Sequence, residues 1–256
     1  MAMDDERRAQ GTSFGARATD YDRFRPEPPD AALDWLLAPD VHRVAEIGAG
    51  TGLLTRGLVR RGLDVVAIEP DPRMRTVLEA RVPGARVEDG RGEQVPLPDG
   101  SVDAVLAASS WHWVEQSQGF AEAARVLRPQ GTLGLMWTGP DRRVPWVRLL
   151  MAGGSTLSEE EQAGRDKERS RRHRPEMPDG APFSAPDIAT FVTTTRATLD
   201  DLVGLRGTYS EAIATSGRNR EAFLRDTKEY AAGHLEFENG TVALPIGCVA
   251  WRATRR

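Results

Sequence analysis

The sequence predicts an α/β protein built on a doubly wound, mostly parallel sheet of seven strands. Between residues 43 and 137, short apolar runs rich in Val, Ile and Ala alternate with segments whose apolar residues recur at helical spacing. A glycine-rich turn at 48–52 joins the first apolar run to the first helical segment. Alternation of this kind is typical of parallel strands connected through helices.

The elements can be placed in order along the chain. Strands are predicted at 43–47, 63–68, 85–87, 102–107, 132–137, 191–197 and 242–253. Helices are predicted at 30–37, 53–61, from 72 onward, and at 117–127, 200–214 and 218–234. Pro72 suits the first turn of its helix because it needs no N–H partner there.

Composition shifts along the chain divide it into four predicted segments. Residues 1–29 form an N-terminal lid segment, 30–138 a ligand-binding core, 139–190 an insertion that caps the site, and 191–256 the part that completes the sheet. The insertion is rich in Gly and Pro and contains a basic run at 165–174. That run is predicted to be a solvated loop face. The alternative is a lid that contacts an anionic acceptor.

Bulk properties exclude several classes of function. The chain has 34 basic and 38 acidic residues and a net charge of −4, so no overall field attracts nucleic acid. No apolar run approaches the ~20 residues that cross a bilayer, and the N-terminus lacks a signal-peptide core. Cys248 is the single cysteine, and the histidines lack metal-ligand spacing. We expect a cytoplasmic protein without metal, membrane or nucleic-acid partners.

The glycine turn and two acids indicate a nucleoside ligand. Glycines let the backbone approach a ligand closely, and Glu69, which ends the second strand, can accept hydrogen bonds from ribose hydroxyls. A dinucleotide turn has the pattern Gly-x-Gly-x-x-Gly, whereas Leu53 stands at its last position here. Glu46 would repel a pyrophosphate but suits a cationic ligand. The alternative is a tight turn that binds nothing.

An ordered set of motifs runs along the chain, and it supports a resemblance. The motifs are Phe14…Tyr21-Asp22…Arg25-Pro26, Glu46 to Gly52, Gly90 to Pro98, Ser110 to Trp113 and Ala124 to Gly131. The set resembles the class I S-adenosylmethionine (SAM) methyltransferases that act on small molecules, of the trans-aconitate and ubiquinone type common in bacterial secondary metabolism. The likeness covers most of the chain except 139–186. It implies a Rossmann-like fold, SAM as cofactor and S-adenosylhomocysteine (SAH) as its product.

The resemblance also implies which residues bind the cofactor. They are Tyr21, Arg25, Glu46, Gly48, Ala49, Gly50, Glu69, Pro70, Gly92, Glu93 and Ser109. In the family, the first two would close over the methionine portion, Glu69 would hold the ribose, and the 92–93 segment would flank the adenine. Arg91 departs from the pattern, because the family often has an acid there and arginine cannot accept a hydrogen bond. Asp89 could replace that acid.

Aromatic residues near the fourth and fifth strand ends indicate an acceptor site. Ligands of open α/β sheets lie outside the carboxyl ends of the strands. The predicted substrate-binding residues there are Trp111, Trp113, Trp137 and Trp146. For the last two, the alternative is that they only pack the insertion onto the sheet. His112 is the candidate general base, since imidazole has an unperturbed pKa of about 6.5; the alternative is that it only positions the substrate.

These features predict SAM-dependent methyl transfer to a small-molecule acceptor, aromatic or anionic, by a monomer or homodimer. Oxygen is favoured over nitrogen or carbon as the atom methylated. One alternative is a nucleic-acid or protein methyltransferase. Many enzymes that methylate nucleic-acid amino groups end strand four in Asn/Asp-Pro-Pro-aromatic, and this chain has Ser109-Ser-Trp-His instead. The other is a protein that binds SAM but catalyses a non-methylating step, for which Arg91 leaves room.

Overall fold

The computed structural model describes residues 13–154, 158, 160–161, 164, 167–168, 171, 174–209, 212 and 217–256. The first twelve residues of the predicted lid and most of the basic run at 165–174 lie outside the described residues. The four-segment division of the chain stays a prediction. Within the described part, no helix is long and apolar enough to cross a membrane.

Seven strands form one sheet in the order β3-β2-β1-β4-β5-β7-β6. Their bounds are β1 Arg43–Ile47, β2 Asp64–Ile68, β3 Arg86–Glu88, β4 Val102–Ala108, β5 Leu127–Pro140, β6 Asp187–Ala197 and β7 Val242–Thr254. Strands β1 to β5 are parallel, and β7 runs antiparallel to both β5 and β6. The predicted doubly wound, mostly parallel seven-stranded sheet is therefore confirmed.

Helices cover both faces of this sheet. They are α1 Ala18–Phe24, α2 Asp30–Leu36, α3 Leu53–Arg60, α4 Pro72–Arg81, α5 Gln116–Val126, α6 Pro145–Met151, α7 Leu199–Gly207 and α8 Gly217–His234. Leu33 of α2 and Leu58 of α3 pack on one face with Val44 and Leu106. Phe120 of α5 packs on the other face. The third apolar cluster joins α6, α7 and α8 to the start of β7.

Several predicted boundaries are wrong, including the start of β6 at Asp187 instead of 191, and two of them change the description most. Strand β5 begins at Leu127, not at 132, because the chain extends directly from α5 and then bulges: Leu127 pairs with Val102, and Thr132 is the next residue to pair, with Ala104. Gly131 permits the bulge, since a Cβ there would lie 2.9 Å from a backbone oxygen of Asp103.

The second wrong boundary is the end of α7, which the sequence placed at 214. The helix begins with the capping box in which Thr198 accepts from the Asp201 backbone, and it ends at Gly207. The hydroxyl of Thr208 donates to the Leu205 carbonyl at 2.7 Å. This bond supplies a donor to one of the carbonyls that the end of a helix leaves without a partner. Tyr209 therefore lies just beyond the helix and not inside it.

Ion pairs hold the N-terminal helix α1 onto the core. The carboxylate of Asp22, whose side chain is 4% exposed, lies 2.8 Å from Arg56 of α3 and 3.2 Å from Arg81 of α4. A 3-10 turn at Ser13–Arg17 precedes α1. Gly15 of that turn abuts Asp71, the N-cap of α4, so closely that a Cβ would overlap it. The N-terminal segment is thus fixed beside the ends of β1 and β2.

Replacing this buried charge should loosen the segment. We expect Asp22→Asn to lower the free energy of unfolding by about 2 kcal/mol, since it removes the charged partner of two arginines, one of them largely buried. Asp20→Asn is the matched control, because the Asp20 side chain is 51% exposed and its ion pair among the described residues is with Arg17 at 3.4 Å; it should change stability by less than about 0.5 kcal/mol. Equal effects of both variants in urea denaturation would contradict this view of α1.

Candidate active site

The turn between β1 and α3 presents open backbone at the carboxyl edge of the sheet. Gly48, Gly50 and Gly52 have φ of 66°, 58° and 91°, in the region that favours glycine. The Gly48 and Ala49 N–H groups donate to the Ile68 carbonyl at 2.8 and 3.1 Å, which anchors the turn to β2. A Cβ on Gly50 would meet nothing within 4 Å. The turn is therefore rigid, with free space in front of Gly50.

Glu69 ties this turn to the start of α4. Its Oε2 accepts from the Gly50 N–H at 2.8 Å and its Oε1 accepts from the Asp71 N–H at 2.9 Å. The residue is 7% exposed, and burial raises the pKa of its carboxyl while the two backbone bonds oppose that shift. Each carboxylate oxygen keeps a second lone pair that a ligand hydroxyl could use. Pro70, which follows it, is half-buried.

Glu46 lies beneath the turn and not at its open side. It is 1% exposed and accepts from the Thr55 hydroxyl at 2.6 Å. Burial raises the pKa of Glu46 to about 8, the Thr55 bond opposes the shift, and the charge of Glu69 adds to it. Ala49 is also buried, against Ala67 of β2. These two residues can affect a ligand through charge and backbone position.

The end of β4 contacts the glycine turn through a residue that the sequence analysis did not select. The hydroxyl of Ser110 donates to the Ile47 carbonyl at 2.6 Å. A Cβ on Gly48 would lie 2.5 Å from the Cβ of Ser110. The predicted residue, Ser109, has a φ of 53° and donates its N–H to the Met136 carbonyl at 2.8 Å. The signal in the sequence that could have indicated Ser110 is the pair of serines that follows the fourth strand.

The segment expected beside the adenine packs tightly on the sheet. A Cβ on Gly92 would lie 2.7 Å from a Val114 methyl carbon, and Glu93 accepts from the Glu115 N–H at 2.9 Å. Arg91 is exposed. The Asp89 carboxylate forms an ion pair with Arg75 at 3.0 Å, and Arg75 also donates to the Glu69 carbonyl at 2.7 Å. Asp89 therefore supports the Glu69 loop, and an adenine contact would compete with that pair.

Tyr21 and Arg25 are brought together, with the arginine directed toward the C-terminal part of the chain. The Arg25 guanidinium carbon lies 5.1 Å from the Tyr21 ring centroid and 3.6 Å from that of Tyr209. Arg25 also donates to the Thr208 hydroxyl and carbonyl at 2.9 and 3.0 Å. The predicted closure of these two residues over the methionine portion stays a prediction.

His112 and Trp137 meet just past the end of β4, next to the point where Met136 of β5 pairs with Ala108. The Trp137 indole N–H donates to Nδ1 of His112 at 3.4 Å, and the rings of His112 and Trp113 lie 4.6 Å apart. Trp113 and His112 are half-buried, and Trp137 is 5% exposed. These three side chains form one group beside Ser110.

The other two predicted substrate-binding tryptophans lie elsewhere. Trp111 is 1% exposed and packs edge-on against Phe120 at 5.3 Å, so it offers an acceptor almost no surface. Trp146 lies in the cluster formed by α6, α7 and α8, where its carbonyl accepts from the Tyr230 hydroxyl at 3.4 Å. These surroundings match the alternative in which Trp146 has only a packing role. Among the described residues, no group of three His, Cys, Asp or Glu could hold a metal.

Comparisons with known proteins agree with this geometry. A family model described as a methyltransferase domain matches residues 45–135, which span the glycine turn, Glu69 and the end of β4. An uncharacterised methyltransferase of Mycobacterium tuberculosis is 41% identical over 249 residues, covering 97% of this chain and 98% of its own length. Another from Schizosaccharomyces pombe is 28% identical over 210 residues, covering 78% and 79%.

A solved structure shows the same fold. It is a candidate type II methyltransferase from Anaeromyxobacter dehalogenans, with a TM-score of 0.61 and 23% identity, covering 91% of this chain and 98% of its own. The mycobacterial relative extends over almost the whole length of both chains, so the likeness includes the segments on either side of the matched domain. These matches and the strand order show that the chain belongs to the class I SAM-dependent methyltransferase family, whose methyl donor is SAM.

Proposed function

We propose that the chain methylates an oxygen atom of a small-molecule acceptor bound between the glycine turn and the group of His112, Trp113 and Trp137. One observation carries this proposal. Ser110 touches the turn at Gly48 and donates to Ile47, which sets the segment after β4 directly against the expected cofactor position. An acceptor held by aromatic rings at that point would lie beside the donor. The proposal includes action in the cytoplasm, which rests on the composition of the chain, and in secondary metabolism, which rests on the resemblance.

The residues present fit a cationic nucleoside cofactor. Burial raises the pKa of two carboxyl groups here, Glu46 and Glu69, and the charge of Glu69 adds to the shift of Glu46. A positive charge in front of Gly50 would favour their ionised forms. Bound SAM supplies a methyl group on a positively charged sulfur that leaves readily. We assign Glu69 to the ribose, the 48–50 backbone to the amino-acid portion, and Tyr21 and Arg25 to closing the site.

His112 fits a positioning role better than that of a base. Because Trp137 donates to Nδ1, that nitrogen carries a lone pair, and the neutral imidazole then has its proton on Nε2. This tautomer donates at Nε2, so it can hold an acceptor oxygen in place. To accept a proton at Nδ1 the ring would have to give up the bond from Trp137. Orientation of the reactants alone can lower a barrier by up to ~7–11 kcal/mol, so a base is dispensable.

A direct assay tests the proposed function. Incubation with methyl-labelled SAM and a panel of matched phenols, carboxylic acids, anilines and amines should yield products heavier by one methylene, with the methyl group on oxygen. A duplex DNA, a structured RNA and a casein sample serve as macromolecular acceptors. Transfer only to nitrogen, or only to a macromolecule, would contradict the proposal. A changed acceptor without added methyl would support the non-methylating alternative.

The open space in front of Gly50 gives a matched pair of variants. Gly50 and Gly62 both have positive φ, of 58° and 76°, and a Cβ would meet nothing at either position. Gly50→Ala and Gly62→Ala should therefore lose a similar ~1 kcal/mol of stability from backbone strain. Only Gly50→Ala puts a methyl group where SAM would lie, so its affinity for SAM, measured by calorimetry, should fall tenfold or more. Equal affinities for SAM in the two variants would contradict the assigned cofactor position.

The buried carboxyl of Glu46 predicts how stability depends on pH. As pH rises from 4.5 to about 8, Glu46 ionises in the unfolded chain but keeps its proton in the folded one. The free energy of unfolding therefore falls through this range. The melting temperature of Glu46→Gln, minus that of the wild type, should increase from pH 5 to pH 8. Glu79→Gln, at an exposed position of α4, is the control and should show no such trend. A constant difference for Glu46→Gln would refute its burial as a neutral acid.

The tautomer of His112 can be observed directly. Ring nitrogen shifts in a labelled sample at high pH should show Nδ1 unprotonated and Nε2 protonated. Trp137→Phe removes the donor and should produce a mixture of tautomers. Trp113→Phe keeps the indole bond from Trp137 and should leave the wild-type pattern. A protonated Nδ1 in the wild type would restore Nε2 as the basic nitrogen and with it the general-base role.

A further inference from the structure

The two edges of the sheet differ in how they are protected against pairing with another chain. β3 forms one edge, has only the three residues Arg86–Glu88, and carries an arginine and a glutamate at its ends. β6 forms the other edge and has the eleven residues Asp187–Ala197. Short, charged edge strands resist association, whereas long, uncharged ones favour it. The edge at β6 is therefore the one open to another strand.

The β6 edge lacks the usual features that block a further strand. Its pairing with β7 runs from one end to the other without a bulge. No lysine or proline lies within it, and the eight residues between Asp187 and Arg196 carry no charge. Those residues are mainly Thr, Val, Ile and Phe, which favour extended backbone. Within the described part of the chain, no strand pairs with the outer side of β6.

Apolar surface is exposed on both faces of β6. Among the described residues, the two exposed large hydrophobic side chains are Ile188 and Val192, which are 63% and 59% exposed. Because side chains alternate along a strand, both lie on the same face. On the opposite face, Phe191 packs on Trp35 of α2 with ring centroids 6.1 Å apart, and both residues are only half-buried. A neighbouring strand with its own side chains would cover both faces at once.

The charges of β6 make it complementary to a second copy of itself. Asp187 begins the strand, and Arg196 stands next to its end. An antiparallel copy brings the start of one strand beside the end of the other, so opposite charges become neighbours at both ends. A parallel copy would bring like charges together. Arg196 donates to the Thr241 hydroxyl and the Glu238 carbonyl at 2.7 and 3.1 Å, which orients the guanidinium without neutralising its charge.

We propose that two copies of the chain pair through β6, antiparallel, about a two-fold axis that passes through Val192. This register pairs all eleven residues of the strand and gives the largest number of main-chain hydrogen bonds. Val192 then lies opposite the partner's Val192, and Ile188 lies against the aliphatic stem of the partner's Arg196. The two seven-stranded sheets become one continuous sheet. Because the β3 edge stays protected, assembly stops at the dimer.

Sedimentation of the full-length chain over a concentration series tests the dimer. The wild type should reach twice the mass of one chain and grow no further. Val192→Lys puts two like charges about 5 Å apart on the axis, so it should weaken self-association by about tenfold or more. Ala232→Lys adds the same charge at an exposed position of α8 and should leave self-association unchanged. A wild type that stays monomeric or grows without limit overturns the proposal, as does a dimer that tolerates Val192→Lys.

Cysteine cross-linking tests the register and does not depend on how Val192→Lys folds. Val192→Cys places two thiols opposite each other across the axis, so a mild oxidant should link most of the protein into dimers. Thr195→Cys, also at an exposed position of β6, is the control, because its two copies would lie about 20 Å apart along the strands and should not link. Cys248 is buried, so the wild type should not link either. Linking of Thr195→Cys, or of neither variant, overturns the proposed pairing.

Discussion

The contact on which the site depends is the carboxylate of Glu69 shared between two backbone N–H groups. Gly50 and Asp71 donate to its two oxygens at 2.8 and 2.9 Å, so one side chain fixes the glycine turn and the start of α4 together. The arrangement requires a buried acid, and burial is unfavourable for the charge. The two N–H bonds offset part of that cost, and a cationic cofactor would offset more. The free protein is therefore poised to bind a positive charge.

The second constraint is steric and sets the segment after β4 against the glycine turn. Gly48 has no side chain, and this absence lets Ser110 approach the turn and donate to Ile47. Since the segment at 111–113 begins at that contact, the positions of His112 and Trp113 follow from it. Trp111 supports the same segment from below through the core, against Phe120. A tryptophan expected in the pocket thus helps to place the ones beside it.

The sequence was sufficient wherever a local pattern decided the structure. The alternation of elements and the run from Glu46 to Glu69 predicted the sheet, its mostly parallel order and the glycine turn. Patterns did not reveal which of two adjacent serines faces the turn, because a single positive φ at Ser109 decides that. Nor could spacing separate Trp111 from Trp137, since both are buried but Trp111 packs against Phe120 whereas the indole of Trp137 reaches His112. The end of α7 at Gly207, which leaves Tyr209 outside the helix, is marked by a hydroxyl bond of Thr208 that residue spacing does not reveal.

The hydrogen bond that Trp137 donates to His112 favours some acceptors over others. A hydroxyl or amine acceptor must lose a proton on methylation, and a histidine that donates at Nε2 is poorly placed to take it. A carboxylate is already ionised at neutral pH, so no base is required, and a donor that orients its oxygen is more useful than one that accepts. The preference for oxygen would then follow from geometry, with no proton transfer by the protein.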